Sequence, residues 1–137
     1  MKYVCPDAIS NITSLRYLEV SFNNLSDINV RHTHLFERLF STLREIQIIS
    51  LKSNSLRHIP KNIYFNNNNL RKIDLSFNHI SKVTFKIDRL KHLMYLNLRS
   101  NMIITLGGSS MMRLDNILDT QIGDFVILNR EKSGKTV

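Results

Sequence analysis

The sequence predicts an α/β solenoid in the form of a short horseshoe arc, with one parallel, concave sheet of about four or five strands. The convex side is expected to be helical or irregular. Three observations predict this class: one spacing of apolar residues and asparagine recurs four times, short stretches alternate apolar and polar residues, and the composition is that of a folded chain. It is 42% hydrophobic and 22% charged, with only four Gly and two Pro.

The recurring spacing is Leu-x-x-Leu-x-Leu-x-x-Asn-x-Leu, in which Ile or Val replaces some of the leucines. Its four copies occupy residues 15–25, 46–56, 70–80 and 93–103. This is the pattern of leucine-rich repeats, in which one repeat cannot bury its apolar face alone and must stack on its neighbours.

Each copy contains a short predicted strand. In the first, Leu18 and Val20 alternate with Tyr17, Glu19 and Ser21, so the two apolar side chains face the core and the others face outward. Outward residues of successive strands form rows on the concave face, where we expect a protein or pathogen-derived ligand to bind. The predicted binding residues are Tyr17, Glu19, Ser21, Ile48, Ser50, Lys52, Lys72, Asp74, Ser76, Tyr95, Asn97 and Arg99.

An asparagine follows each strand, where the backbone loses its sheet partners. A side-chain amide can satisfy both an N–H and a C=O group, so we predict a buried structural ladder. Its members are Asn23, Asn54, Asn78 and Asn101. Phe22 and Phe77 each precede a ladder asparagine, and we predict that they pack against the neighbouring coil rather than contact a ligand.

The ladder asparagines are 31, 24 and 23 residues apart, so the first interval needs an insertion. Apolar residues at helical spacing predict an amphipathic helix near residues 33–43 that covers the core, with a partner-binding helix as the alternative. We divide the chain into a lead-in (1–11), a repeat domain with four clear repeats and a degenerate fifth (12–128), and a disordered tail (129–137). The last strand is expected at residues 125–128, after a helix that includes Leu114, Ile117 and Leu118.

Catalysis, metal binding and cofactor binding find no support in the sequence. The five histidines lack a cluster of Cys or acidic residues, Cys5 is the single cysteine, and Gly134-Lys135-Thr136 lacks the earlier Gly of a phosphate-binding loop. We therefore predict no catalytic residues, no metal ligands, no cofactor and no enzymatic activity. The net charge of +8 is scattered along the chain, which does not favour nucleic-acid binding.

Two sequons bear on where the protein resides. Asn11 and Asn24 begin Asn-Ile-Thr and Asn-Leu-Ser, so each is a candidate glycosylation site if the chain is exported. No apolar run approaches the roughly 20 residues that span a bilayer, and the N-terminus lacks the apolar core of a secretion signal. From these features we expect either a cytoplasmic protein or a piece of a larger one.

With its repeats placed, the chain resembles a segment of a Toll-like receptor ectodomain. The resemblance lies in residues 73–80 (Ile-Asp-Leu-Ser-Phe-Asn-His-Ile), in residues 56–60 (Leu-Arg-His-Ile-Pro), and in residues 101–106 and 113–117. It implies ligand recognition in innate immune signalling, a place on the extracellular side of a membrane receptor, and dimerisation in a full-length parent.

One departure from those receptors concerns the end of the repeats. The receptors close the last repeat with Asn-Pro-Leu and a cysteine cluster, whereas Asn129 is followed here by Arg130 and no cysteine. A fragment, a truncated product and a decoy all fit this departure. The alternative to a receptor origin is a cytoplasmic leucine-rich-repeat adaptor or regulatory subunit.

Overall fold

The computed structural model describes residues 11–26, 33–60, 63, 69–83, 90–106 and 119–121. These ranges contain one helix of ten residues, α1, and seven short strands, β1 to β7. Their bounds are α1 (Thr33–Thr42), β1 (Tyr17–Glu19), β2 (Ile48–Ser50), β3 (Lys72–Asp74), β4 (Lys82–Val83), β5 (Tyr95–Asn97), β6 (Thr105–Leu106) and β7 (Asp119–Gln121).

Five of the strands form one sheet in the order β1-β2-β3-β5-β7, and every neighbouring pair is parallel. Leu18 pairs with Ile49, Ile49 with Ile73, Ile73 with Leu96, and Leu96 with Thr120. Equivalent positions of the repeated motif therefore lie side by side, and the predicted parallel sheet is confirmed. Parallel neighbours need a crossover between them, which the rest of each repeat supplies.

A second sheet has two strands, which follow the main-sheet strands of the third and fourth repeats. Strands β4 and β6 are parallel, and Val83 pairs with Leu106. Both residues follow a ladder asparagine by five positions, at Asn78 and Asn101. The spacing of the motif is therefore kept beyond the first strand of each repeat.

The core is built from the apolar positions of the motif and from α1. Leu39 and Phe40 of the helix are 4% and 0% exposed, and Leu43 directly after it is 0% exposed. Equivalent motif positions are buried in successive repeats: Leu18, Leu25, Ile46, Ile49, Leu51, Leu56, Leu70, Ile73, Leu75, Ile80, Leu93, Leu96 and Leu98. A continuous apolar core thus runs beneath the sheet from the first repeat to the fourth.

The ladder asparagines join neighbouring repeats by hydrogen bonds. Asn78 Oδ1 accepts from the N–H of Asn54 at 2.9 Å and from the N–H of Leu56 at 3.0 Å. Its Nδ2 donates to the carbonyl oxygens of Leu51 at 3.0 Å and Leu75 at 2.9 Å. One amide therefore satisfies donors and acceptors on two repeats, which is why a polar residue is tolerated there.

Burial along the ladder is not uniform. Asn54 and Asn78 are 0% and 3% exposed, whereas Asn23 and Asn101 are only partly buried. Asn101 keeps the same pattern, since its Oδ1 accepts from the N–H of Ile80 at 3.0 Å and its Nδ2 donates to the Leu75 carbonyl at 2.9 Å. The expectation that every ladder residue is buried was therefore wrong for the first and last of them, which lie in the first and fourth repeats.

A left-handed backbone residue precedes each ladder asparagine. Phe22, Ser53, Phe77 and Ser100 have φ angles of 58°, 54°, 55° and 55°. Strict alternation along the strand would turn this residue inward and the asparagine outward. The positive φ reverses that order, so the asparagine points inward and the residue before it faces solvent.

The end of the sheet differs from the expectation. Strand β7 lies at Asp119–Gln121, where the sequence predicted no strand. Its Thr120 is 24 residues after Leu96, so counting one repeat from β5 would have located it. The strand expected at 125–128, the helix expected around Leu114, the tail at 129–137 and most of the lead-in lie outside the described residues.

Candidate functional site

The outer sheet face, the side of the main sheet opposite the core, carries the predicted binding residues. In β1, Tyr17 and Glu19 are exposed on either side of buried Leu18, and in β3, Lys72 is exposed beside buried Ile73. The parallel register then aligns Tyr17, Ile48, Lys72 and Tyr95 in one row across four strands. Side chains of different repeats are therefore neighbours on this face.

The first three strands enclose an open groove on this face with a volume of about 480 Å³. Its lining is Glu19, Ser21, Phe22, Ile48, Ser50, Lys52, Lys72 and Asp74. Seven of the twelve predicted binding residues are thus brought together, and Phe22 joins them. The structure places Tyr17, Ser76, Tyr95, Asn97 and Arg99 outside the lining of this groove.

The Asp74 carboxylate organises the middle of the outer sheet face. Its Oδ1 accepts from the Ser76 hydroxyl at 2.7 Å and from the Ser76 N–H at 2.9 Å. Its Oδ2 accepts from Asn97 Nδ2 at 3.4 Å. Ser76 and Asn97 are only 1% and 9% exposed, so the prediction that they offer binding surface was wrong. Their polar groups are directed to the neighbouring carboxylate instead of to solvent.

Two further hydrogen bonds fix polar side chains in the groove. Glu19 Oε1 accepts from the N–H of Ser21 at 3.0 Å. The hydroxyls of Ser21 and Ser50 lie 2.7 Å apart and share a hydrogen bond between the first two repeats. Both acidic side chains of the groove therefore already accept hydrogen bonds from neutral donors of the chain.

Phe22 and Phe77 are exposed, at 73% and 54% of their surface, so the prediction that they pack against the neighbouring coil was wrong. The reason is the left-handed backbone at both positions, which turns each ring away from the core. A sequence signal existed: the equivalent residues of the second and fourth repeats are Ser53 and Ser100, and serine is not a core residue type.

The exposed rings surround a lysine. Lys52 Nζ lies 5.3 Å from the centroid of the Phe22 ring and 5.3 Å from that of Phe77. Lys72 Nζ lies 4.7 Å from the Tyr95 ring centroid. These distances are within the range of cation–π attraction, which orients each ammonium group over an aromatic face. Side chains from four repeats thus form two aromatic–lysine clusters.

One sequon begins at Asn11, the last residue of the lead-in, and the other at Asn24 in the first repeat. Asn11 and Thr13 are both exposed. Asn24 is exposed as well, and its Oδ1 accepts from the Ser26 hydroxyl at 2.8 Å. Both asparagine side chains are therefore accessible to modification.

Comparison with known families agrees with this geometry. A family model described as Leucine Rich repeat matches residues 11–28 and 66–83. The chain contains leucine-rich repeats. The matched segments hold β1 and β3, while the strands of the unmatched second and fourth repeats, β2 and β5, pair with them in the same register. No curated protein and no solved structure matches the chain.

Leucine-rich repeats are typically binding modules for proteins, without chemistry of their own. Across the described ranges, no group of three or more His, Cys, Asp or Glu side chains is arranged to hold a metal ion. The one described helix, α1, is too short to cross a membrane. What the outer sheet face offers chemically is a groove with two hydroxyls, two carboxylates, two ammonium groups and one exposed aromatic ring.

Proposed function

We propose that this leucine-rich-repeat chain is a ligand-recognition module that binds a protein or pathogen-derived ligand on its outer sheet face, taken as the concave face of a solenoid. The observation that carries the proposal is the groove, to which three successive strands contribute side chains in register. Tyr17, Tyr95 and Arg99 around it are of the residue types that dominate protein interfaces.

We also propose that the module derives from a Toll-like innate immune receptor, acts in signal transduction, and lies on the extracellular side of a membrane. Dimerisation would then be a property of the full-length parent. This part is supported by the resemblance of residues 73–80 and by the two accessible sequons. The alternative is a cytoplasmic adaptor or regulatory subunit with the same binding face.

The binding face is tested by blocking the groove. Ser50→Tyr places a large side chain in the groove, while Ser81→Tyr makes the same change at another partly buried serine outside it. Proteins cross-linked to each tagged variant in cells are quantified by mass spectrometry. We expect at least one protein to be lost with Ser50→Tyr and kept with Ser81→Tyr. If every protein is kept equally by both variants, the face is not the binding site.

The compartment is tested on the protein isolated from the cells that produce it. Peptides containing Asn11 and Asn24 are treated with a glycosidase in heavy-oxygen water, which marks each formerly glycosylated asparagine as a labelled aspartate. Occupancy at either site is expected for an exported receptor segment. Recovery of both peptides with unmodified asparagine would contradict export and favour the cytoplasmic adaptor.

A further inference from the structure

The aromatic–lysine cluster of Phe22, Lys52 and Phe77 joins three repeats. Phe22 belongs to the first, Lys52 to the second and Phe77 to the third, and the ammonium lies 5.3 Å from both ring centroids. The rings flank the lysine on two sides. The parallel strands place this cluster at their carboxyl ends, next to the groove that Phe22 and Lys52 help to line.

Fold stability does not account for aromatic residues at these positions. Phe22 and Phe77 are 73% and 54% exposed, so most of each ring surface contacts solvent. Ser53 and Ser100 adopt the same left-handed conformation in the other two repeats, so the backbone requires no aromatic there. Aromatic residues, Phe among them, are enriched at protein interfaces relative to the rest of the surface.

The groove contains two carboxylates and two ammonium groups, which differ in the partners that the chain supplies to them. Glu19 already accepts a hydrogen bond from Ser21, and Asp74 accepts bonds from two neighbouring residues. Lys52 and Lys72 lie instead over aromatic rings, which hold each ammonium in place without neutralising it. The whole chain carries a net charge of +8, which attracts acidic partners over longer distances.

We propose that this cluster binds an acidic, extended peptide segment of the protein partner, a proposal that rests on the proposed function. A carboxylate of the segment contacts the Lys52 ammonium, and an apolar side chain beside it packs on the Phe22 and Phe77 rings. The segment continues into the groove, where the hydroxyls of Ser21 and Ser50 face it. The cluster thus selects an acidic residue next to an apolar one.

A peptide fits this surface better than a nucleic acid does. Aromatic rings and lysines also bind single-stranded nucleic acid, through base stacking and phosphate contacts. The groove, however, contains Glu19 and Asp74, and these would repel a chain that carries a charge on every residue. A single carboxylate placed at Lys52 avoids that repulsion.

The test is selection of peptides from a displayed library of random twelve-residue sequences, with the full chain as bait. We expect the sequences enriched on the native chain, but not on Lys52→Met, to carry Asp or Glu next to Leu, Ile or Phe. A synthetic peptide of the most enriched sequence should bind Lys52→Met and the double variant Phe22→Ser/Phe77→Ser about tenfold more weakly. Lys52→Arg keeps the charge and should retain binding.

Controls separate this proposal from the proposed function. Lys91→Met changes an exposed lysine outside the groove and should leave peptide affinity unchanged. Unchanged melting curves exclude unfolding of the variants.

The acidic-peptide site is overturned by enrichment of peptides without acidic residues, by equal enrichment on Lys52→Met, or by no enrichment. The Ser50→Tyr result still decides whether the face binds a protein at all. Steeply salt-dependent binding of a twelve-residue oligothymidylate, as tight as that of the peptide, overturns the site in favour of nucleic acid.

Discussion

The first joint between repeats, from β1 to β2, differs from the second, from β2 to β3, and from the third, from β3 to β5. Its ladder asparagines are 31 residues apart, against 24 and 23 at the later joints, and the extra chain holds α1. Backbone pairing is nevertheless alike at all three joints. The equivalent N–H to C=O bonds are Phe22 to Lys52 at 2.9 Å, Ser53 to Ser76 at 3.0 Å, and Phe77 to Arg99 at 3.0 Å.

The difference lies in the asparagine that each joint uses. At the second joint, Asn78 Oδ1 accepts two backbone N–H groups, and at the third, Asn101 Oδ1 accepts one. At the first joint, Asn54 Nδ2 donates to the Val20 carbonyl at 2.9 Å, but Asn54 Oδ1 is buried with no hydrogen-bond partner among the described residues. The ladder asparagine therefore uses both its amide oxygen and its amide nitrogen at the second and third joints, but only the nitrogen at the first.

Helix α1 supplies apolar burial at the first joint instead. An unsatisfied buried acceptor costs about 1–3 kcal/mol. Full burial of one aromatic or aliphatic side chain contributes about 1.5–3 kcal/mol, and Leu39 and Phe40 of the helix are 4% and 0% exposed. Two such side chains offset the lost hydrogen bond. An insertion that interrupts the ladder is thus tolerated because it carries its own core residues.

The largest expected loss of stability comes from a substitution in α1, at the first joint. Phe40→Ala removes a fully buried ring and should lower the free energy of unfolding by about 3–5 kcal/mol, measured by urea denaturation. Phe22→Ala is the matched control, because that ring is 73% exposed, and it should change stability by less than about 0.5 kcal/mol. Equal losses for the two variants would show that α1 is not packed into the core.

The next effect compares asparagines of two joints. Asn78→Ala leaves the N–H groups of Asn54 and Leu56 without an acceptor and should cost about 2–3 kcal/mol. Asn54→Ala removes the donor of three carbonyls but also removes a buried oxygen that accepts no bond, and the second change offsets part of the first, so it should cost only about 1 kcal/mol. Chemical denaturation of both variants checks the order. A greater loss for Asn54→Ala would mean that the first joint is not the incomplete one.

Much of the fold was predictable because the motif acts through side-chain period and burial. The sequence indicated the parallel sheet and the repeat register from Leu18, Ile49, Ile73 and Leu96. It did not indicate β7, since Thr120 occupies the position where the other repeats have Leu or Ile. An apolar pattern cannot mark a strand whose central residue is polar, and only the repeat length could.

The binding face was less predictable, because its details depend on backbone conformation. Alternation correctly assigned groove residues such as Ile48 and Lys72 to the outer face. It could not show that Ser76 would donate a hydrogen bond to Asp74 and be shielded from solvent, since that depends on the three-dimensional positions of the two side chains. Nor could it show that a positive φ would expose Phe22.

The smallest expected effect tests a feature that all joints share. Phe22 lies at the first joint and Phe77 at the third, with φ angles of 58° and 55°. Left-handed conformation costs a non-glycine residue about 1–2 kcal/mol, and the extra flexibility of unfolded glycine costs about 0.5–1 kcal/mol. The glycine variant at either position should therefore have a free energy of unfolding about 0.5–1 kcal/mol higher than the alanine variant. Thermal denaturation of the four single variants measures this difference. A gain at only one position would mean that the insertion alters the strand end as well as the ladder, whereas equal gains confine its effect to the ladder hydrogen bonds of Asn54.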